Sequence, residues 1–245
     1  FFLVIFYIAF NKLEISGTRI FLLDNFLNIT IINILFVTFC ILIVINGSNF
    51  IDGMNTLSIG YFLLISLIIN ILYLDFGIDL KDISILYIFY LLFIIFFLNL
   101  TNKLYLGDSG SYLLGFSFSI FLIHIYNWNT FLSPFFIVLL LWYPCYENLF
   151  SILRKNILKK SPLNPDSNHL HQLIFFVIKK KFKLTVLNSN LITAQLINIY
   201  NLIIFLIALN FCTNSQIQVL LILFNMTMYT FIYFKFFVFK YKKFL

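Results

Sequence analysis

Residues 29–57, ITIINILFVTFCILIVINGSNFIDGMNTL, form an uncharged apolar run that ends in a cluster of amides, glycines and one aspartate. No Asp, Glu, Lys or Arg occurs between Asp24 and Asp52, and a charge at the centre of a membrane span costs roughly 2.5–3.5 kcal/mol. A spanning helix takes about 20 apolar residues, which this run supplies. The stretch therefore reads as a membrane helix with a polar cluster at its end.

Working outward, uncharged stretches recur between Asp52 and Asp75, Asp82 and Lys103, Asp108 and Glu147, and Lys183 and Lys235. The last two are long enough for two spans each, and polar breaks divide them at Asn127-Trp128-Asn129-Thr130 and Thr213-Asn214-Ser215-Gln216. The pattern predicts about seven spans, near 29–46, 57–74, 83–100, 110–126, 131–150, 191–212 and 217–237. These runs are apolar on every face, which excludes the alternating polarity of a spanning barrel. The expected fold class is all-α, a polytopic integral membrane protein with a single transmembrane domain over residues 1–245. The first ten residues, FFLVIFYIAF, are too short to span and carry no basic n-region or small-residue cleavage site. They read as the end of a partial helix, so the chain is expected to be N-terminally truncated.

Composition agrees. Apolar residues make up 62% of the 245 and charged residues 10%, with 34 Phe and a mean hydropathy of +1.02. A soluble domain carries about 25% charged residues, and this chain could not cover its core with polar surface. Cys40, Cys145 and Cys212 all lie in apolar runs, which leaves neither a disulfide framework nor a CxxC metal site. A net charge of +7 would suggest nucleic acid in a soluble protein, but here the positions of the charges report topology. With spans alternating sides, segments 47–56, 101–109, 151–190 and the C-terminal tail share one face, which collects 13 of the 16 Lys and Arg residues. Segments 11–28, 75–82, 127–130 and 213–216 share the other, with only Lys12, Arg19 and Lys81. The positive-inside rule puts the first face in the cytoplasm.

Three polar clusters fall on that face. Asn46-Gly47-Ser48-Asn49-Phe50-Ile51-Asp52-Gly53-Met54-Asn55-Thr56 joins two spans. Asp52, Asn49 and Asn55, at three-residue spacing, would project from one side of a helix end, beside a glycine that lets backbone approach a ligand. An ordinary Asn/Gly turn is the plainer reading. Tyr105-Leu106-Gly107-Asp108-Ser109-Gly110-Ser111 opens the next span, where an Asp among glycines and hydroxyls suits a hard cation and its phosphates. The plainer reading makes Asp108 an N-cap. The third cluster runs from Arg154 to Gln172, with Lys155, Lys159, Lys160 and Asp166 ahead of His169 and His171. Two histidines behind a basic stretch suit an anionic phosphate but make a weak zinc site, lacking further ligands at the usual spacing. Basic residues taken singly, Lys179, Lys180, Lys181 and Lys183 above all, read as headgroup anchors, and His124 as a packed or interfacial residue. No Walker or dinucleotide glycine motif occurs. Together the clusters describe a cytoplasmic-surface site for a phosphorylated substrate and a divalent metal. The competing classes are a transporter, which would place its polar breaks near the bilayer midplane, and a degenerate, non-catalytic membrane protein.

The motifs resemble those of the polyprenyl-phosphate N-acetylhexosamine-1-phosphate transferases, glycosyltransferase family 4. The family's N-x-x-D-G-x-D-G-L is similar to Asn49–Leu57, its G-D-x-G-S is met in full by Gly107–Ser111, and its H-x-H-H is similar to His169-Leu170-His171-Gln172. The resemblance implies transfer of a sugar-1-phosphate from a UDP-N-acetylhexosamine-type donor to undecaprenyl phosphate at the bacterial inner membrane. UMP would leave, and the lipid-linked diphosphosugar would start a cell-envelope polysaccharide such as lipopolysaccharide. It also implies Mg²⁺, with Mn²⁺ as the alternative, held by Asp108 and Asn49. Asp52, Asp108, His169 and His171 would be catalytic, and Asn49, Asn55, Gly107, Ser111 and Arg154 would bind substrate. The implied partners are the donor, the lipid acceptor, the bilayer and a second copy of the chain in a homodimer, with no nucleic acid. Three positions depart: Asn55 and Thr56 stand where the family has Asp and Gly, and Gln172 where it has His. The family's aspartate pair, D-D-x-x-[KDR], which would orient the acceptor phosphate, has no counterpart here, so residues 1–245 alone are expected to be inactive.

Overall fold

The computed structural model describes residues 1–81, 85–157, 159 and 168–241, and every regular element among them is a helix. In chain order these are α1 (Phe2–Asn11), α2 (Phe21–Leu27), α3 (Thr30–Ile51), α4 (Leu57–Phe76), α5 (Ile85–Leu100) and α6 (Gly107–Trp128). α7 (Pro134–Leu140), α8 (Trp142–Ile157), α9 (Leu170–Phe182), α10 (Val186–Leu209) and α11 (Ser215–Tyr241) follow. Each of the uncharged runs has become helix. By length and hydropathy α3, α4, α6, α10 and α11 can each cross a membrane, and α7 with α8 forms an apolar pair bent by 72°, the shape of a broken crossing or of a re-entrant hairpin.

Two expectations are corrected: the span expected at 131–150 is not one straight helix, and the basic segment 151–190 contains α9. Among the described residues the run at 83–100 gives the 16-residue α5. Lys160, Asp166, Asp82 and the tail lysines Lys242 and Lys243 lie outside the described residues.

The break between α7 and α8 has a local cause. Pro144, in the first turn of α8, has no N–H for the carbonyl of Leu140 four residues back. That carbonyl accepts instead from the Tyr61 hydroxyl of α4, at 2.9 Å in the buried interior. Gly47 lets α3 approach the same point, since a Cβ there would lie 2.1 Å from the Pro144 carbonyl oxygen.

α4 is the centre of the core, with Tyr61, Phe62, Ile65, Ile68 and Ile69 wholly buried. It packs against α5 and α10, while α3 lies on α6 and α8, and α9 on α10 and α11. Large side chains on the outer faces, Phe39, Leu91 and Phe231 among them, stay exposed, as lipid-facing residues do.

The loops sort to two ends of the bundle. At one end Asn49 meets Asp108, the Asn55 N–H meets Asn190, and Lys240 meets Asn168. At the other, the Ser16 N–H meets Asn127, Asn129 meets Asp79, and Arg19 donates to the carbonyls of Leu132 at 2.8 Å and Thr213 at 2.9 Å. The three polar clusters therefore share one end, and the sparsely charged loops share the other.

Candidate active site

α3 runs on to Ile51, so Asn49 lies in its last turn and Asp52 follows as its C-cap. α6 starts at Gly107, whose φ of 65° favours glycine. Asp108 is not the N-cap, because Leu106 holds that position. The exposed Asp108 carboxylate instead accepts from Asn49 Nδ2 at 2.8 Å. The same amide reaches Ser111 Oγ at 3.3 Å, and that hydroxyl donates to the Asp108 carbonyl at 3.0 Å. Both donors of the Asn49 amide are thus used, and its Oδ1 is left as an acceptor. Burial, and after it the Asp108 carboxylate, pushes the Asp52 carboxyl up to about 7.

Two carboxylates that repel one another, with an amide oxygen and a hydroxyl beside them, are hard oxygen donors that suit Mg²⁺. Among the described residues no three His, Cys, Asp or Glu side chains gather as a metal site. An ion held here would complete its shell with water and substrate phosphates, as Mg²⁺ commonly does.

The histidines join this group through α3. Phe50 packs on the ring of His169 with centroids 5.1 Å apart. His171 Nε2 would sit 2.6 Å from a Cβ at position 53, so Gly53 is what admits the ring. The two imidazoles are parallel, at 5.7 Å. His171 is fully buried, and neither ring nitrogen has a hydrogen-bond partner among the described residues. Burial pulls His171 down to about 4, with Glu147 opposing and His169 adding to the fall, so the ring is neutral at pH 7. His169 Nδ1 lies 2.9 Å from Glu147 Oε1, and Glu147 Oε2 accepts from the Tyr229 hydroxyl at 2.8 Å.

Sequence reasoning missed Glu147 and Tyr229. Glu147 served only as the boundary of an uncharged run, yet an acid 1% exposed on a membrane helix is costly to place without a partner.

The remaining candidates are placed differently. Asn55 is not hydrogen-bonded to Asn49 or Asp108, because α3 has ended and a turn intervenes. Its N–H donates to Asn190 Oδ1 at 3.1 Å and its side chain to Asn102. Thr56, where the family pattern has Gly, takes the left-handed φ of 66° and is held there on all sides. Its N–H donates to Asn99, its carbonyl accepts from Asn198 at 3.0 Å, and its hydroxyl accepts from Gln195 at 2.9 Å. Gln172, the third departure, accepts from the His169 N–H at 3.1 Å and so closes the first turn of α9. Arg154 donates to the Asn168 carbonyl, to Tyr233 at 2.6 Å and to Ser151 at 3.2 Å, which fixes the chain just ahead of His169.

Comparison with known proteins gives a consistent set of matches. The model of glycosyl transferase family 4 matches residues 1–126. Over 179 residues the chain is 30% identical to a probable undecaprenyl-phosphate N-acetylglucosaminyl 1-phosphate transferase of Bacillus subtilis (strain 168), covering 66% of this chain and 50% of that protein. Over 148 residues it is 32% identical to an undecaprenyl-phosphate alpha-N-acetylglucosaminyl 1-phosphate transferase of Thermotoga maritima, covering 59% of this chain and 44% of that protein. The chain spans about half the length of the curated relatives it matches. No solved structure matches it.

Proposed function

The chain belongs to glycosyl transferase family 4, and on that premise we propose that it transfers a sugar-1-phosphate from a UDP-N-acetylhexosamine to undecaprenyl phosphate. The names of its relatives make UDP-N-acetylglucosamine the first donor to test. One observation carries the reading: three segments far apart in sequence, around Asn49, Asp108 and His169, converge at one end of an apolar bundle.

In this reaction an oxygen of the acceptor phosphate attacks the sugar-bearing phosphorus of the donor. The bond to the bridging oxygen breaks, and UMP leaves. Mg²⁺ bound by Asp108 and Asn49, with Asp52 beside them, would offset the charge on the donor's diphosphate. The chain itself orients and neutralises. Asn49 holds Asp108 through its amide, Ser111 holds Asn49, and His169 supplies a ring nitrogen for a donor phosphate oxygen. His171, neutral and buried, fills the space under Gly53.

An apolar cavity supports a lipid acceptor. A cavity of about 330 Å³ lies between the segment 15–23 and helices α3, α6, α7 and α8; it runs from Ile15 and Leu23, toward the end away from the motifs, to Val44, Leu141 and Leu149. Its wall reaches the outer surface at Val138, which is 50% exposed. It is apolar and suits part of a polyprenyl chain. The excess of Lys and Arg on the motif-bearing segments supports an orientation toward the cytoplasm, where nucleotide sugars are made.

The test is binding of UDP-N-acetylglucosamine with Mg²⁺ by the solubilised chain, together with transfer of its labelled sugar phosphate to undecaprenyl phosphate by the intact gene product. Asp108→Ala is expected to lower transfer by roughly 100-fold or more, and chelation with EDTA to abolish it. Transfer unchanged by Asp108→Ala would remove that residue from the mechanism.

A further inference from the structure

Glu147 is a carboxylate in a place that demands an explanation. It is 1% exposed, on the second helix of the bent apolar pair α7–α8, yet both its oxygens are engaged. Oε1 lies 2.9 Å from His169 Nδ1, and Oε2 accepts from Tyr229 at 2.8 Å. Replacing such a group by an apolar residue would spare the cost of desolvation, so a purely structural clasp is an expensive use of it. Its geometry is directional. A carboxylate only accepts, so His169 Nδ1 must carry a hydrogen to meet it, and the other nitrogen, Nε2, is the one the ring can offer to a ligand. Phe50 lies on one side of the ring at 5.1 Å and His171 parallel to it at 5.7 Å, and both crowd a turn that would exchange its nitrogens.

We propose that Glu147 is a positioning residue: it fixes His169 with Nδ1–H toward the protein interior and dedicates Nε2 to the donor's phosphate. When Nε2 donates to that phosphate, the ring is cationic, and the Glu147 carboxylate offsets the charge. Tyr229 holds Glu147 by its second oxygen and so keeps it aimed. The role in turnover rests on the transferase reading above, whereas the assignment of the ring's protons does not.

The experiment separates the two. The chain has three histidines, His124, His169 and His171, so ring nitrogen resonances of the ¹⁵N-histidine-labelled protein in lipid can be assigned by His169→Gln and His124→Gln. In the wild-type protein the proton of the neutral His169 ring is expected on Nδ1 rather than on Nε2. Glu147→Gln is expected to move a substantial share of the proton to Nε2, whereas Tyr229→Phe, which keeps the carboxylate, lowers the melting temperature without moving it. In the intact gene product Glu147→Gln is expected to lower kcat by roughly tenfold or more with KM for the donor little changed, and Glu147→Asp to restore part of the loss. An unmoved His169 proton in Glu147→Gln overturns the proposal, and so does an unchanged kcat in a protein that transfers. If the wild-type protein transfers nothing from any UDP-sugar, the transferase reading fails, and the resonances alone decide the role of Glu147.

Discussion

Gly53 shows how a single missing methyl group can hold a site open. A Cβ there would meet His171 Nε2 at 2.6 Å, and that ring is buried, with His169 parallel to it. Gly53→Ala is therefore expected to displace His171 and weaken donor binding by roughly tenfold while the bundle still melts cooperatively, because position 53 itself is exposed. Normal donor affinity in this variant would refute the contact. Asp52 gives a second outcome at this scale. Its folded-state value of about 7 lies above the ordinary carboxylate value, so the folded protein holds the proton more tightly than the unfolded chain. The stability it contributes is present below about pH 4 and is lost as pH rises to about 7. In EDTA, Asp52→Asn should flatten that decline and raise the melting temperature at pH 8 by about 2–4 °C, equivalent to about 1 kcal/mol after allowance for solvent screening. Parallel pH profiles for the two proteins would sink this account. The residues of the acidic group were legible in the sequence because they lie within a few positions of one another at two helix ends, the last turn of α3 and the first of α6. Glu147 was not, since its partners stand 22 and 82 positions away and no spacing rule links them. The one available signal was an acid three residues inside an otherwise uncharged expected span.

Among the elements, the break between α7 and α8 is where the sequence reading fell short. The uncharged run from Asn129 to Glu147 measures one span, and hydropathy carries no information about direction. Pro144 was the visible clue, and its meaning depends on Tyr61, which takes up the Leu140 carbonyl that the proline leaves unbonded. Tyr61→Phe should then orphan a buried carbonyl and cost about 1–3 kcal/mol. Pro144→Ala in the same protein restores a local N–H and should recover part of that loss, which thermal melting of the single and double variants would show. Additive losses would mean that the hydroxyl and the proline do not share this carbonyl. α9 was hidden for a different reason: its last turn carries Lys179, Lys180 and Lys181, and a basic segment between spans reads as a loop until its apolar face is seen against α10 and α11.

For the whole molecule, the sorting of charge was the most legible feature, because loop membership alternates with each crossing and needs no side-chain geometry. It survives the broken span and the short α5, since neither changes which loops gather together. The orientation proposed from it can be checked directly. In a variant without Cys40, Cys145 and Cys212, a cysteine introduced as Lys12→Cys should react with an impermeant maleimide applied outside the cell. One introduced as Lys103→Cys should react only after permeabilisation. The reverse pattern would place the site on the wrong side for a nucleotide sugar.

The grip of α11 on the histidine end bears on how the protein is made. Tyr229 donates to Glu147, Tyr233 accepts from Arg154, and Lys240 and Tyr241 both donate to Asn168 at 2.8 Å. Every motif residue precedes α11 in the chain, so during synthesis the acidic half of the site can assemble while α11 is still on the ribosome. The histidine half must wait for it. A nascent chain in the membrane would thus hold the Asn49–Asp108 pair formed while His169 still lacked the Glu147–Tyr229 support, and the polar end would take its final arrangement only after α11 has joined the bundle.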